Sequence, residues 1–244
     1  ELRKSGASIL RHVWVFKLKR DDEGNHTVHK ARGCVDGSQQ RYGFDYNEVF
    51  APTCREDTFK VMMSLAVRMG WDARQLDVRS AFTNATLDED VYMWAPKGVK
   101  TGGRVCKLLR ALYGLKQSPR QWYLNFLATL EKDGWERCKL DACLFKKRMR
   151  PIGESNQSCD NENELDNSDY AYLLVYVDDI ITVSTPENCE RVADYLKSEY
   201  QMEDFGRPKD FLGFEVDFVP SFEAEDGVGH CLLHQTRYVK ELVE

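Results

Sequence analysis

The sequence predicts an α+β fold: a split β-α-β antiparallel sheet with helices on one face. Three observations lead there. The run Tyr170 to Val183 is rich in Val, Ile, Leu and Tyr, the composition of strands, and only Asp178 and Asp179 interrupt it. Gln75-Leu76-Asp77-Val78-Arg79 alternates like a short strand, with Asp77 opposite its apolar neighbours. Three segments of helical period lie around these, giving the order strand, helix, hairpin, helix, strand.

The first helix starts at a cap on Asp57 or Thr58, carries Val61, Met62, Leu65, Ala66 and Met69 on one face, and ends near Gly70. The second begins at Ser118-Pro119, buries Trp122, Tyr123, Phe126, Leu127 and Leu130, and stops at Gly134. The hairpin pairs Tyr172–Val177 with Ile180–Ser184 and holds both aspartates at its tip. The third helix opens at Thr185-Pro186 and turns Cys189, Val192, Ala193, Leu196 and Tyr200 inward.

Carboxylates in the middle of an apolar run are costly to bury without a partner. Asp178-Asp179 reads either as a polar turn, where Asp is common, or as a rigid acidic point for a divalent metal. Asp77 alone reads as a solvated edge charge. One aspartate on a strand with a pair on a later hairpin is an arrangement suited to two-metal phosphoryl transfer. Magnesium takes one or two carboxylates and fills its shell with water and phosphate oxygens, and two ions about 4 Å apart stabilise attacking and leaving oxygens together.

The ordered motifs Trp14-Val15-Phe16-Lys17, Lys30-Ala31-Arg32, Phe44-Asp45-Tyr46 with Phe50-Ala51-Pro52, Gln75-Leu76-Asp77-Val78 with Ala81-Phe82, and Val91-Tyr92-Met93 come first. Ala111-Leu112-Tyr113-Gly114-Leu115-Lys116-Gln117-Ser118-Pro119-Arg120, Trp122-Tyr123, Asp141-Ala142-Cys143-Leu144-Phe145, Tyr176-Val177-Asp178-Asp179 and Phe211-Leu212-Gly213 follow. Together they resemble the reverse transcriptase of copia-type LTR retrotransposons, from near residue 12 to near residue 240.

That resemblance implies a right-hand polymerase of fingers and palm. Residues 1–73 are expected as partial fingers and the start of the palm. Residues 74–220 are expected as palm, with a second fingers segment near 83–117, and residues 221–244 as the end of the primer grip and the start of a truncated thumb. It also implies an RNA-directed DNA polymerase within a Pol polyprotein that includes ribonuclease H and integrase. The implied partners are an RNA template, a DNA primer and deoxynucleoside triphosphates. The implied cofactor is two Mg2+ ions, with Mn2+ as substitute. Asp77, Asp178 and Asp179 become the catalytic carboxylates and, with the backbone carbonyl of Val78, the metal ligands; Asp179 is the weaker ligand or an electrostatic partner. Phe82 becomes the ring that crowds a ribose 2′-hydroxyl, Gln117 a contact to nucleotide and template, and Lys30 and Arg32 positive charge for the triphosphate. Phe211-Leu212-Gly213 opens the primer grip. The implied setting is a cytoplasmic virus-like particle, with a nuclear phase alongside the cDNA. A catalytically inactive relic or a co-opted hybrid-binding protein is the alternative.

Composition bounds these expectations. The 244 residues suit one or two domains and contain no apolar run long enough for a membrane span. Eight scattered cysteines without a CxxC pair point to reduced, mostly buried thiols. The net charge of −6 looks wrong for a nucleic-acid enzyme, but Glu154, Asp160, Glu162, Glu164, Asp166 and Asp169 all fall within 151–169. Without them 34 acids face 34 bases. That polar, apolar-poor segment reads as a disordered surface insertion.

Three departures from the family pattern carry physical expectations. Gly33, just after Lys30-Ala31-Arg32, weakens a strand. Asp36 reverses a charge near the triphosphate path. Ala85 replaces a glycine and would be strained if that turn needs positive φ.

Overall fold

The computed structural model describes residues 8–20, 25–100, 102–149 and 170–243. The expected insertion 151–169 lies outside them. In chain order the elements are β1 (Ile9–Leu10), β2 (His12–Arg20), β3 (His26–Val35), α1 (Glu56–Met69), β4 (Asp72–Val78), β5 (Tyr92–Trp94) and β6 (Val105–Lys107). There follow α2 (Ser118–Lys132), β7 (Glu136–Arg137), β8 (Leu144–Arg148), β9 (Tyr170–Tyr176), β10 (Asp179–Ser184) and α3 (Pro186–Glu199). The last are β11 (Met202–Gly206), β12 (Asp210–Phe211), β13 (Phe214–Val219), β14 (His230–His234) and α4 (Thr236–Val243). The expected α+β class is what the chain adopts. No helix among the described residues is long and apolar enough to cross a membrane, and the seven described cysteines are free thiols.

The chain divides into two units, residues 1–51 with 80–127 and residues 52–79 with 128–244. In the first, β2 and β3 form a two-stranded ribbon, and β1, β5 and β6 a small sheet over Leu10, Val35, Val91, Met93 and Leu115. β3 runs unbroken through Gly33, which pairs with Trp14, so the expected weakening does not interrupt it. Gly114 and Gly37 mark a close backbone approach. A Cβ on Gly114 would lie 2.0 Å from the Val35 carbonyl, and one on Gly37 2.0 Å from the Gly114 carbonyl. Only glycine fits such positions.

The second unit holds a six-stranded antiparallel sheet, β11-β4-β10-β9-β8-β7. Strand parity assigns its faces. Ala73, Leu174, Ile181 and Val183 point to one face and join a core with Phe59, Met62, Met63 and Ala66 of α1 and Phe211, Val216 and Phe218 of the β12-β13-β14 sheet. Leu76, Val78, Leu173, Val175 and Ile180, all buried, point to the other. There Arg74 bonds Asp204 at 2.8 Å, Lys197 of α3 bonds the same Asp204, and Lys147 lies 5.9 Å from the Tyr195 ring of α3. Tyr195 also donates to the Thr129 carbonyl at the end of α2 (3.1 Å). Helices therefore cover both faces of the sheet, which corrects the expected one-sided arrangement: α1 backs one face and α3 the other.

Two details of α1 also differ from expectation. Val61 is 67% exposed, and the buried stripe is Phe59, Met62, Met63 and Ala66, spaced i, i+3, i+4, i+7. Neither Asp57 nor Thr58 is the cap. Arg55 holds that position without a side-chain bond, and Asp141, distant in sequence, accepts from the Arg55 N–H (3.1 Å) and the Thr58 hydroxyl (2.6 Å). Its other oxygen accepts from the Cys143 N–H at 2.9 Å. Asp141 is buried and thus caps a helix and braces a turn at once. Helices α2 and α3 start where expected, with Thr185 accepting from the Asn188 N–H (3.4 Å) and Pro186 leading. Because one carboxylate satisfies three groups, Asp141→Ala is expected to destabilise the chain by about 2 kcal/mol or more; a thermal or urea melt of the variant measures it.

Candidate active site

The open end of the α1 face gathers the predicted carboxylates. In β4, Asp77 follows Gln75 at the strand's period of two, and in the antiparallel ladder Asp77 is the direct partner of Asp179 on β10. Asp179 is in turn paired with Tyr176 on β9. The turn between β9 and β10 is Val177-Asp178, so Asp179 already belongs to a strand, and only Asp178 sits at the tip where both were expected. The Val78 N–H donates to the Asp178 carbonyl at 2.9 Å, tying the turn to the end of β4. Val177 has φ 58, an outlying conformation for a β-branched residue. Strain of this kind costs about 1–3 kcal/mol and persists only where the surroundings enforce it.

Electrostatics single out Asp179. Its carboxyl is pushed up to about 6, first by burial, then by repulsion from Asp178 and Asp77; a hydrogen bond from Gln75 opposes the shift. Cross-strand like charges destabilise a sheet, so this strand end carries charge that a cation would relieve. Among the described residues, no three His, Cys, Asp or Glu side chains converge as a ready-made metal cage. The donors are hard oxygens on adjacent strands, which fits an ion that takes one or two carboxylates and completes its shell with water and phosphate.

Two residues of this face were not singled out from sequence. Glu203 on β11 is the ladder partner of Asp77, extending the acidic row, and lies 3.6 Å from Arg79. Gln75 donates its amide to the Asp210 carbonyl at 3.0 Å as well as bonding Asp179. Counting back two from Asp77 finds Gln75 from parity alone. Asp210 begins the hairpin of Phe211-Leu212-Gly213, where Leu212 (φ 52) and Gly213 (φ 79) form the turn between β12 and β13. Phe211 is buried, its ring 4.9 Å from Phe59. The structure thus links this segment to the aspartates through Gln75.

The remaining predicted residues belong to the first unit. Arg32 lies over the Tyr113 ring at 5.3 Å, and the Phe82 ring packs on the same tyrosine at 4.5 Å. Phe82 is only 9% exposed and sits in a 3-10 turn, Ala81–Asn84, which follows Ser80 in the left-handed region. Ala85 has φ −92, so the strain expected there is absent. Lys30 is the ladder partner of Lys17, one step outward from Arg32 along the ribbon. Gln117 is buried; its amide donates to the Asp45 carbonyl (2.9 Å) and its oxygen accepts from Gln40 (2.8 Å). Asp36 is ion-paired with Arg11 at 3.0 Å. Hydrogen bonds from the Ser38 side chain and backbone, and the Arg11 charge, hold its carboxyl below the usual range.

The family described as "Reverse transcriptase (RNA-dependent DNA polymerase)" matches residues 3–243. The chain is 33% identical over 243 residues to the retrovirus-related Pol polyprotein from transposon TNT 1-94 of Nicotiana tabacum, covering 98% of this chain and 17% of that protein. It is 36% identical over 246 residues to the Pol polyprotein from transposon RE1 of Arabidopsis thaliana, covering 98% of this chain and 15% of that one. It is 26% identical over 219 residues to the transposon Ty1-BL Gag-Pol polyprotein of Saccharomyces cerevisiae, covering 86% and 11%. The chain therefore spans about a sixth of the length of its plant relatives. From fold, acidic strand pair and sequence together, the chain belongs to the reverse transcriptase (RNA-dependent DNA polymerase) family of copia-type retrotransposon Pol polyproteins.

Proposed function

We propose that the chain is the RNA-directed DNA polymerase module of such a polyprotein, extending a DNA primer on an RNA template with deoxynucleoside triphosphates. The observation that carries this is the direct cross-strand pairing of Asp77 with Asp179, beside Asp178 in the turn. The second unit is read as palm with primer grip and the first as fingers. The setting proposed is a cytoplasmic virus-like particle, with the ribonuclease H and integrase of the polyprotein alongside. The presence of all three aspartates supports this reading over the catalytically inactive alternative.

Asp77, Asp178 and Asp179 would hold two magnesium ions, with the Val78 carbonyl as a further oxygen donor and Mn2+ as substitute. Bound there, the metal supplies Lewis-acid charge to the attacking 3′-oxygen and the triphosphate. The chain's own part is placement and charge, with little covalent chemistry. The fixed β4-β10 register sets the spacing of Asp77 and Asp179. Gln75 orients Asp179. Phe82, five residues after Asp77 in the chain, rejects a ribose by occupying the space of its 2′-hydroxyl. Arg32 and Lys30 offer positive charge to the triphosphate, and Gln117 reaches nucleotide and template through the loop it anchors.

Asp77→Asn or Asp178→Asn is expected to abolish primer extension on an RNA template while the circular dichroism spectrum stays that of the parent; extension persisting in either variant rejects the metal assignment. Phe82→Ala is expected to raise the ratio of ribonucleotide to deoxynucleotide incorporation. The ratio, unlike the rate, is insensitive to the folded protein lost when a buried ring is truncated.

Asp179 gives a pH-dependent readout without activity. Its folded pKa of about 6 lies above the ordinary carboxylate value. Stability is therefore greatest with the group protonated and is lost as pH rises through about 6. Asp179→Asn is expected to melt higher than the parent above pH 6, the gain shrinking as pH falls below that value. Added magnesium should raise the parent's melting temperature more than the variant's. A gain that does not vary with pH would show that Asp179 is not the group under strain.

A further inference from the structure

The hairpin of β12 and β13 is weak on its own terms. β12 has two residues, and its ladder with β13 consists of the pairs Asp210–Glu215 and Phe211–Phe214. The turn between them is Leu212-Gly213, with φ 52 and 79. A two-residue turn with both angles positive suits Asn-Gly or Gly-Gly, and a leucine in it is strained. The outer pair sets two carboxylates directly opposite one another, which destabilises a ladder. A short hairpin so built does not hold its shape unaided.

Its supports come from outside. Phe211 is buried against Phe59, and Gln75 donates to the Asp210 carbonyl, but neither neutralises the two carboxylates. That is done from α4. Arg237, in its first turn, is ion-paired with Asp210 on β12 and with Glu215 on β13, the latter through Nε at 3.1 Å. The Arg237 N–H also donates to Glu215 at 2.8 Å, so this carboxylate caps the helix that carries its own counter-charge. Gln235, just before α4, donates its amide to the Gly213 carbonyl at 3.4 Å. His234 is the ladder partner of Glu215 and lies 3.4 Å from it, but its other ring nitrogen faces Asp217 at 3.2 Å. Among the described residues, Arg237 is the cation paired with both Asp210 and Glu215. A planar guanidinium fork can span two carboxylates where an ammonium offers a single point of charge.

We propose that Arg237 is a positioning residue for primer extension: by neutralising Asp210 and Glu215 together, it holds the Phe211-Leu212-Gly213 hairpin in the shape that receives the primer end. It touches no reacting atom and acts through the hairpin alone. Docking of α4 and closure of the hairpin become one event, because each supplies a partner the other lacks: Glu215 an acceptor for the helix N-terminus, Arg237 a cation for the ladder. The proposal rests on the polymerase reading in naming the primer as what the hairpin holds. The counter-charge role stands on the ion pairs.

The test is hydrogen–deuterium exchange of the parent chain, Arg237→Met and the neutral triple variant Asp210→Asn/Glu215→Gln/Arg237→Met, with primer extension on an RNA template run alongside. In Arg237→Met, residues 210–216 are expected to exchange about fivefold faster, the scale of one unfavourable cross-strand pair, while residues 73–77 of β4 exchange as in the parent. KM for primer–template is expected to rise by about the same factor, with KM for the deoxynucleotide unchanged. Loss of folded protein would instead lower the apparent kcat alone. The triple variant should restore both exchange and KM. Unchanged exchange at 210–216, acceleration spread evenly over the chain, a primer–template KM that stays at the parent's value, or no restoration in the triple variant overturns the proposal. A parent that extends no primer removes the polymerase reading, and the exchange data still decide whether Arg237 holds the hairpin, so the two failures are distinct.

Discussion

The pairing of β4 with β10 is the constraint on which the candidate site depends. It sets two carboxylates directly opposite one another, an arrangement that sheets avoid. The register holds because of the sheet's other side. Leu76, Val78 and Ile180 are sealed there at 1% exposure or less, under a helix fastened by the Lys197–Asp204 ion pair. A slip of one residue would turn those apolar side chains outward and bury the aspartates. The repulsion is thus local and soft, while the packing that enforces it is extensive.

A second cost sits at the turns. Val177 and Leu212 both take left-handed backbone angles without being glycine, and each ends a hairpin that bears on the site. Gln75 joins the two hairpins, bonding Asp179 on one and the Asp210 carbonyl at the root of the other. One amide therefore transmits the position of the Phe211-Leu212-Gly213 segment to the carboxylate whose pKa burial and its acidic neighbours raise. Burial of Phe211 against Phe59 anchors that segment to α1, and Asp141 anchors α1 in turn. The chain of support from helix cap to acidic strand end runs wholly within the second unit.

Much of this was legible in the amino-acid order, and the misses have physical causes. Period-two alternation identified β4, an apolar run of Val, Ile, Leu and Tyr identified β9 and β10, and proline, glycine and apolar spacing identified α2 and α3, because these signals are local. The cap of α1 was not legible because it comes from Asp141, across the chain, and no local pattern reveals a partner that distant. Val61 and Met62 are adjacent and both apolar, so the stripe's phase was ambiguous by one residue until Phe59 and Met63 were seen inside. The second covered face was missed for the same reason: α1 and the β12-β13-β14 sheet meet there through contacts that sequence periodicity does not encode. The three aspartates were read from strand context and order. Phe82 and Gln117 were read from family likeness, and that likeness gave no hint that one packs on Tyr113 while the other braces a loop.

The departures from the family pattern show how local compensation preserves a scaffold. Gly33 removes a side chain from β3, but a Cβ there would lie 2.9 Å from the His12 ring, so its absence makes room for an aromatic edge on β2. The ladder runs in register from His12–Val35 to Lys19–Val28, through Gly33. Asp36 brings a negative charge to a basic ribbon, yet Arg11 and Ser38 engage it where it stands, and it caps the short turn Gly37–Gln39. Such exposed pairing adds little stability, but it lessens the field the aspartate would otherwise project toward Arg32 and Lys30. Ala85 occupies an extended conformation open to any residue, and burial of its methyl group adds to the core where a glycine would add nothing. In each case the residue meets a neighbour that suits it, so the first unit keeps its local structure.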